Sequence, residues 1–161
     1  MKTLFLIRHA KSSRDDPTSI DRERPLDDRG LQAAARMGKR LAKCDAKPDS
    51  LVPSPALRAL TTAQLFADEL GYEHKDIVVD DRLYASSAGD LLAVIHALDK
   101  KVDRVMLFGH NPEIAELARR LSSEIIDMPT CAVAEFRFDT NTWSDVGEVE
   151  PARVMLDRPK R

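Results

Sequence analysis

The sequence predicts an α/β protein, a three-layer α/β/α sandwich around a mostly parallel central sheet. Three observations carry this. Thr3 to Ile7 (TLFLI) and Arg104 to Phe108 (RVMLF) are short apolar runs without alternation, the pattern of strands buried on both faces. Stretches with apolar residues at i, i+3, i+4 and i+7 spacing lie between such runs and read as amphipathic helices. The order strand, helix, strand, helix is the one a parallel sheet requires, since each crossover must carry the chain back to the same end.

Each element follows in turn. The first strand, Thr3 to Ile7, ends on Arg8 and His9. Residues 10–28 are polar and contain Pro17 and Pro25, so they form a loop. A helix begins at about Asp28, its period set by Leu31, Ala34, Ala35, Gly38, Leu41 and Ala42. Ser50 to Val52 fits a short strand closed by Pro53. In SPALRALTTAQLFADEL, Ser54 suits a helix cap and Pro55 the first helical position. Leu57, Leu60, Gln64 and Ala67 keep that helix's period, and Gly71 ends it. Ile77 to Val79 is short and β-branched, and Gly89 to Leu98 reads as a helix. After RVMLF, Asn111 suits a cap and Pro112 opens a helix. Ala132 to Phe138 alternates, and Ala152 to Leu156 fits an edge strand; one or both of these are expected to run antiparallel.

The 161 residues fit a single domain, residues 1–161, with 43% apolar and 32% charged side chains, enough to bury a sizeable core. A net charge of −2 offers no basic excess for nucleic acid. Cys44 and Cys131 have neither metal spacing nor a disulfide framework and read as ordinary thiols. The apolar part of MKTLFLI is too short for a signal peptide, and no segment approaches a membrane span, so a cytoplasmic protein without membrane or nucleic-acid partners is expected. No GxxxxGK[ST], GxGxxG, HExxH or Cys/His cluster occurs, and neither cofactor nor metal is expected.

Chemistry collects at one rim. Ligands of open parallel sheets bind beyond the carboxyl ends of the strands. Arg8 and His9 close the first strand, Arg58 lies one turn into the helix after the second, and His110 follows RVMLFG. Ser54-Pro55 and Asn111-Pro112 both open helices whose amino ends face that rim and favour an anion. Arginine binds phosphate through paired N–H groups. Joint placement therefore points to a bound phosphoryl group. His74, in a polar loop, and His96, in a helix without a partner motif, read as structural histidines.

LFLIRHAKSS, SPALRALTTA and FGHNP resemble the three signature blocks of the histidine phosphatase superfamily, which has the phosphoglycerate-mutase-like fold. RHAKSS, the RERPLDDRG segment and the short chain are most similar to SixA-type phosphohistidine phosphatases. The resemblance covers residues 3 to about 120, and the remainder more loosely. It implies a nucleophilic His9, phosphate-pocket arginines Arg8 and Arg58, and a second pocket histidine, His110. One departure is visible: Ala10 stands where the family most often has glycine, and the turn is expected to survive with negative φ.

The mechanism expected is in-line attack by His9 on phosphorus, giving a phosphohistidine that water hydrolyses, with inorganic phosphate as product. The imidazole must be neutral, its second nitrogen held by a carbonyl or carboxylate. Arg8, Arg58 and His110 stabilise the equatorial oxygens, with Ser12 adding one hydrogen bond. The family's acid is a glutamate between the second and fourth strands; Asp81, in VDDRLYAS, fits that position best, followed by Asp80 and then Glu113. Only residues 10–28 and 72–88 are free to cover the site, so an open rim is expected, suited to phosphohistidine on a protein partner. The alternatives are a phosphatase of small phosphate esters and a non-catalytic module that binds phosphoproteins.

Overall fold

The computed structural model describes residues 1–159. Among them five strands form one sheet: β1 (Lys2–Arg8), β2 (Ser50–Pro53), β3 (Arg104–Gly109), β4 (Val133–Phe138) and β5 (Arg153–Asp157), in the order β2-β3-β1-β4-β5. β2, β3 and β1 are parallel; β4 and β5 extend the sheet antiparallel beyond β1. Helices α1 (Asp28–Lys43), α2 (Leu57–Leu70), α3 (Ala88–His96) and α4 (Glu113–Leu121) supply the outer layers.

The period of two in a strand divides the apolar run of β1 between both faces. Phe5 and Ile7 join Met37, Leu41 and Phe66 beneath α1 and α2. Leu4 and Leu6 join Leu91, Ile95 and Leu117 beneath α3 and α4. Each such side chain contributes about 1.5–3 kcal/mol when fully buried. Phe66 also meets Phe108 edge-on, with ring centroids 5.2 Å apart.

The buried stripe of α1 keeps Ala34, Gly38 and Leu41 of the expected period, and that of α2 keeps Ala67, but neither includes its first leucine. α1 buries Gly30, Ala34, Met37, Gly38 and Leu41, while Leu31 is exposed; α2 buries Arg58, Ala59, Thr62, Ala63, Phe66 and Ala67, while Leu57 is exposed. Small residues win because the two helices approach closely: a Cβ on Gly38 would stand 3.1 Å from Glu69 Cβ and 3.2 Å from Phe66 Cα. α2 starts at Leu57, because Ser54 and Pro55 form a turn ahead of it, and Gly71 ends it in the left-handed region at φ 71°. α3 begins one residue before the expected point, with a reciprocal capping box between Ser87 and Asp90.

Ile77 to Val79 forms no strand of the sheet. Val78 N–H and Asp80 N–H donate to Leu51 and Pro53 carbonyls and cover the β2 edge. The expected loop after β1 is present and is closed at its base by the Ser12–Leu26 bridge and by Asp27 N–H donating to Lys11 O at 3.0 Å. Asp27 then caps α1 by accepting from Gly30 N–H at 2.8 Å. Gly30 is required there, since a Cβ would collide with the Lys11 carbonyl oxygen.

Candidate active site

The strand register levels the site. Arg8 of β1 pairs with Gly109 of β3, so His9 and His110 leave the sheet side by side, their ring centroids 5.1 Å apart. Ser54 leaves β2 at the same level, its N–H donating to Phe108 O at 3.0 Å. His9 N–H donates to Gly109 O at 3.0 Å, and Cys131 N–H, from the turn before β4, is shared between the Arg8 and His9 carbonyls at 3.1 Å each. Ala10 N–H donates to Thr62 Oγ1 at 3.0 Å, and that hydroxyl donates to Arg58 O at 2.7 Å. The backbone under both histidines is thus fixed from three strands and α2. Ala10 is fully buried and keeps a negative φ, as expected for alanine in that turn.

Hydrogen bonding selects the histidine tautomers. His9 is 8% exposed, and its Nδ1 stands 2.7 Å from the Ala10 carbonyl oxygen. A carbonyl only accepts, so Nδ1 carries the proton and Nε2 keeps its lone pair. His110 Nε2 lies 2.8 Å from Ser54 Oγ. Ser54 Oγ already accepts from Ala56 N–H at 3.1 Å. In the tautomer where Ser54 donates to Nε2, the His110 hydrogen lies on Nδ1, a buried atom without a protein partner.

Both rings are held neutral. Burial is the main cause, lowering His9 from its usual 6.5 to about 4 against the opposing Ala10 hydrogen bond, with Arg58, Arg8 and Arg24 repelling the protonated form. Burial again leads for His110, lowered to about 3, followed by His9, Arg58 and Arg24, with Asp21 opposing.

Three arginines surround the rings. Arg58 donates from Nη1 to Asp21 O at 2.7 Å and from Nη2 to Asp21 Oδ2 at 3.1 Å. Arg8 donates from Nη1 to Met128 O at 3.1 Å. Arg24 reaches Asp21 Oδ1 through Nη2 at 3.4 Å. Yet Arg8 Nε, Arg58 Nε, and Arg24 Nε and Nη1 are buried without a protein partner, like His110 Nδ1. Leaving a buried donor unpaired costs about 1–3 kcal/mol. A cluster of such donors beside a free imidazole nitrogen has the chemistry to receive an oxyanion.

The sequence-predicted residues do not all meet here. Arg8, His9, Arg58 and His110 do. Ser12 lies in the bridge that closes the loop base. Asp81 lies on a turn with its carboxylate 87% exposed, 3.9 Å from Arg22 Nη2, and makes no recorded contact with either histidine. Asp80 is spent on Arg82, accepting from its backbone N–H and its guanidinium. Glu113 is buried at the start of α4. His74 pairs with Asp68 and His96 with Val146 O, both structural as expected. Four participants escaped the sequence: Asp21 and Arg24 from the loop, Tyr84, and Thr62. Tyr84 donates to Asp21 Oδ2 at 2.6 Å, stands edge-on to His110 at 5.6 Å, and carries Arg22 over its ring at 5.1 Å. Asp21, Arg24 and Tyr84 lie in segments without periodicity, and Thr62 lies on the buried face of α2. Among the described residues no group of three or more His, Cys, Asp or Glu is placed to hold a metal ion, and no helix is long and apolar enough to cross a membrane.

The family model of the histidine phosphatase superfamily (branch 1) matches residues 4–93. The chain is similar to an uncharacterised protein of Mycobacterium tuberculosis, 30% identical over 129 residues, spanning 80% of this chain and 77% of that one. The structure of SixA from Agrobacterium tumefaciens, assigned as a phosphohistidine phosphatase, superposes with a TM-score of 0.78 at 27% identity, covering 84% and 90% of the two chains. The protein histidine phosphatase SixA complexed with tungstate gives 0.82 at 23% identity over 98% and 97%. A mycobacterial glucosyl-3-phosphoglycerate phosphatase gives 0.67 at 17% identity over 98% of each chain. The last two likenesses show the shared fold.

Proposed function

The chain belongs to the histidine phosphatase superfamily and is a phosphatase by that membership, and we propose that its substrate is phosphohistidine on a protein, dephosphorylated through a covalent intermediate on His9.

In the first step His9 Nε2 attacks phosphorus. A P–N bond forms to Nε2 as the bond to the leaving group breaks in line. Nδ1–H donating to Ala10 O steadies the positive charge that develops on the ring. Arg8 Nε, Arg58 Nε and His110 Nδ1 supply donors to the equatorial oxygens, where charge must be stabilised. In the second step water attacks phosphorus, the P–N bond breaks, and inorganic phosphate leaves with His9 neutral again.

The observation that carries this reading is the pairing of a proton-free His9 Nε2 with unpartnered N–H donors from three neighbouring residues. The substrate class rests on the leaving group. Asp81, 87% exposed beside Arg22, offers no buried acid for an alkoxide. A phosphohistidine leaving group needs less help, since protonated imidazole departs readily. The likeness to SixA of Agrobacterium tumefaciens supports the same class. One observation favours small phosphate esters instead: the loop and Tyr84 meet through Asp21, narrowing the rim more than the sequence suggested. A panel of phosphohistidine proteins, sugar phosphates and aryl phosphates separates the two. Faster turnover of phosphohistidine supports the proposal; a sugar phosphate outpacing every phosphohistidine protein overturns the substrate class. Binding without any turnover would leave a phosphoprotein-binding module.

A further inference from the structure

Arg24 has no assigned task, yet its placement is costly. It comes from the loop after β1, between the turn at Asp21–Glu23 and the bridge at Leu26. Its side chain is 12% exposed. One guanidinium nitrogen, Nη2, faces Asp21 Oδ1 at 3.4 Å; the other two, Nε and Nη1, are buried with no partner. The other carboxylate oxygen of Asp21 accepts from Arg58 Nη2 at 3.1 Å and from Tyr84. One carboxylate therefore clamps Arg24 and Arg58 together and ties the loop to α2 and Tyr84. The unpaired edge of Arg24 has the same character as the unpaired Nε of Arg58 and of Arg8.

We propose that Arg24 is a further substrate-binding residue, whose unpaired guanidinium N–H groups supply a donor to the phosphoryl group seated beside His9. Deepening the proposed function, and resting on it, this assigns the loop a direct contact with substrate. Asp21 is the positioning residue, because it holds Nη2 and leaves Nε and Nη1 unspent. A purely structural Arg24 would need only the Asp21 contact, and lysine could make that contact. Nε and Nη1 are instead buried donors left over beyond that contact, and an oxyanion is the partner that would satisfy them.

The test reads the native protein first. Arginine Nε–H resonances are followed by NMR as vanadate, a phosphate mimic, is titrated in. The proposal expects the Arg24 signal to shift and its exchange with solvent to slow, together with Arg8 and Arg58. Movement of Arg8 and Arg58 while Arg24 stays fixed overturns the inference and spares the site. No response from any of the three, or from His9, overturns the site and the inference together. Kinetics provide the second arm. Arg24→Gln and Arg24→Lys should each lower kcat/KM about 10²–10³-fold, by analogy with removal of one oxyanion donor, and weaken vanadate binding, with melting temperatures near the native value. A folded variant within twofold of native kcat/KM overturns the proposal. If neither variant folds, the titration of the native protein decides.

Discussion

Ser54 Oγ and His110 Nε2 lie 2.8 Å apart, and this contact holds the His110 ring in place. Ser54 accepts from Ala56 N–H, and the proposed mechanism has it give its own proton to Nε2, with the hydrogen of His110 on Nδ1. Ser54→Ala removes the tautomer's anchor. A buried hydrogen bond of this kind contributes about 0.5–1.5 kcal/mol, so kcat should fall up to about tenfold. Steady-state kinetics on Ser54→Ala measure it; an unchanged kcat would separate Ser54 from the chemistry.

The depressed histidines set two pH dependences. His9 must be neutral to attack, and with its pKa near 4 it stays neutral through the physiological range. Its protonation should give kcat/KM an acid limb near pH 4 rather than near 6.5. Stability should show the other side of the linkage. In the unfolded chain both rings protonate near the usual 6.5, but in the folded protein only near 4 and near 3. The unfolded state therefore binds more protons as pH falls below about 6.5, and folding stability declines from there toward pH 4. Urea unfolding of native protein and His110→Gln at pH 7 and pH 4.5 is the comparison. The variant should lose less stability on acidification; equal losses would mean His110 is not buried neutral.

Arg58 serves two partners at once, Asp21 through both Nη atoms and the pocket through Nε. Lysine keeps the charge but not this fork. Arg58→Lys should lower kcat by ~10²–10³-fold, the range for loss of one oxyanion donor. A variant with native kcat would remove Arg58 from the pocket.

Asp81→Asn tests whether any acid acts from the turn after Asp80. With its carboxylate largely in solvent beside Arg22, its loss should leave phosphohistidine hydrolysis within about twofold and slow alkyl esters more, since weak acid help penalises alkoxides. The measurement is kcat/KM for both substrate types in both proteins. A larger loss on phosphohistidine would make Asp81 an acid for that substrate.

What the sequence disclosed follows from where its signals lie. Arg8, His9 and His110 were legible because each directly follows a strand whose apolar run is unmistakable, and the carboxyl ends of parallel strands are where ligands bind. Arg58 was legible because SPALR ties it to β2. The sheet's two antiparallel strands, β4 and β5, were legible from alternation in AVAEFRF and from the modest run at its end. Helix faces were read less well. Ala34, Gly38, Leu41 and Ala67 were read correctly, but Leu31 and Leu57 are exposed, because close packing at Gly38 selects small residues and Phe66. Ser54 reads as a helix cap; the structure uses its hydroxyl for Ala56 and His110 instead. Asp21, Arg24 and Tyr84 sit in irregular segments, where only the fold brings residue 21 against residues 58 and 84.

The most direct test is rapid quench of the native enzyme mixed with a phosphohistidine protein carrying a radiolabelled phosphoryl group, followed by mapping of the labelled residue. Nδ1 of His9 is occupied by Ala10 O, so label should appear transiently on His9, at Nε2, and be absent from His9→Ala, which should still bind vanadate through its arginines. Label that never attaches to the protein, or that attaches to another residue, would contradict nucleophilic catalysis by His9.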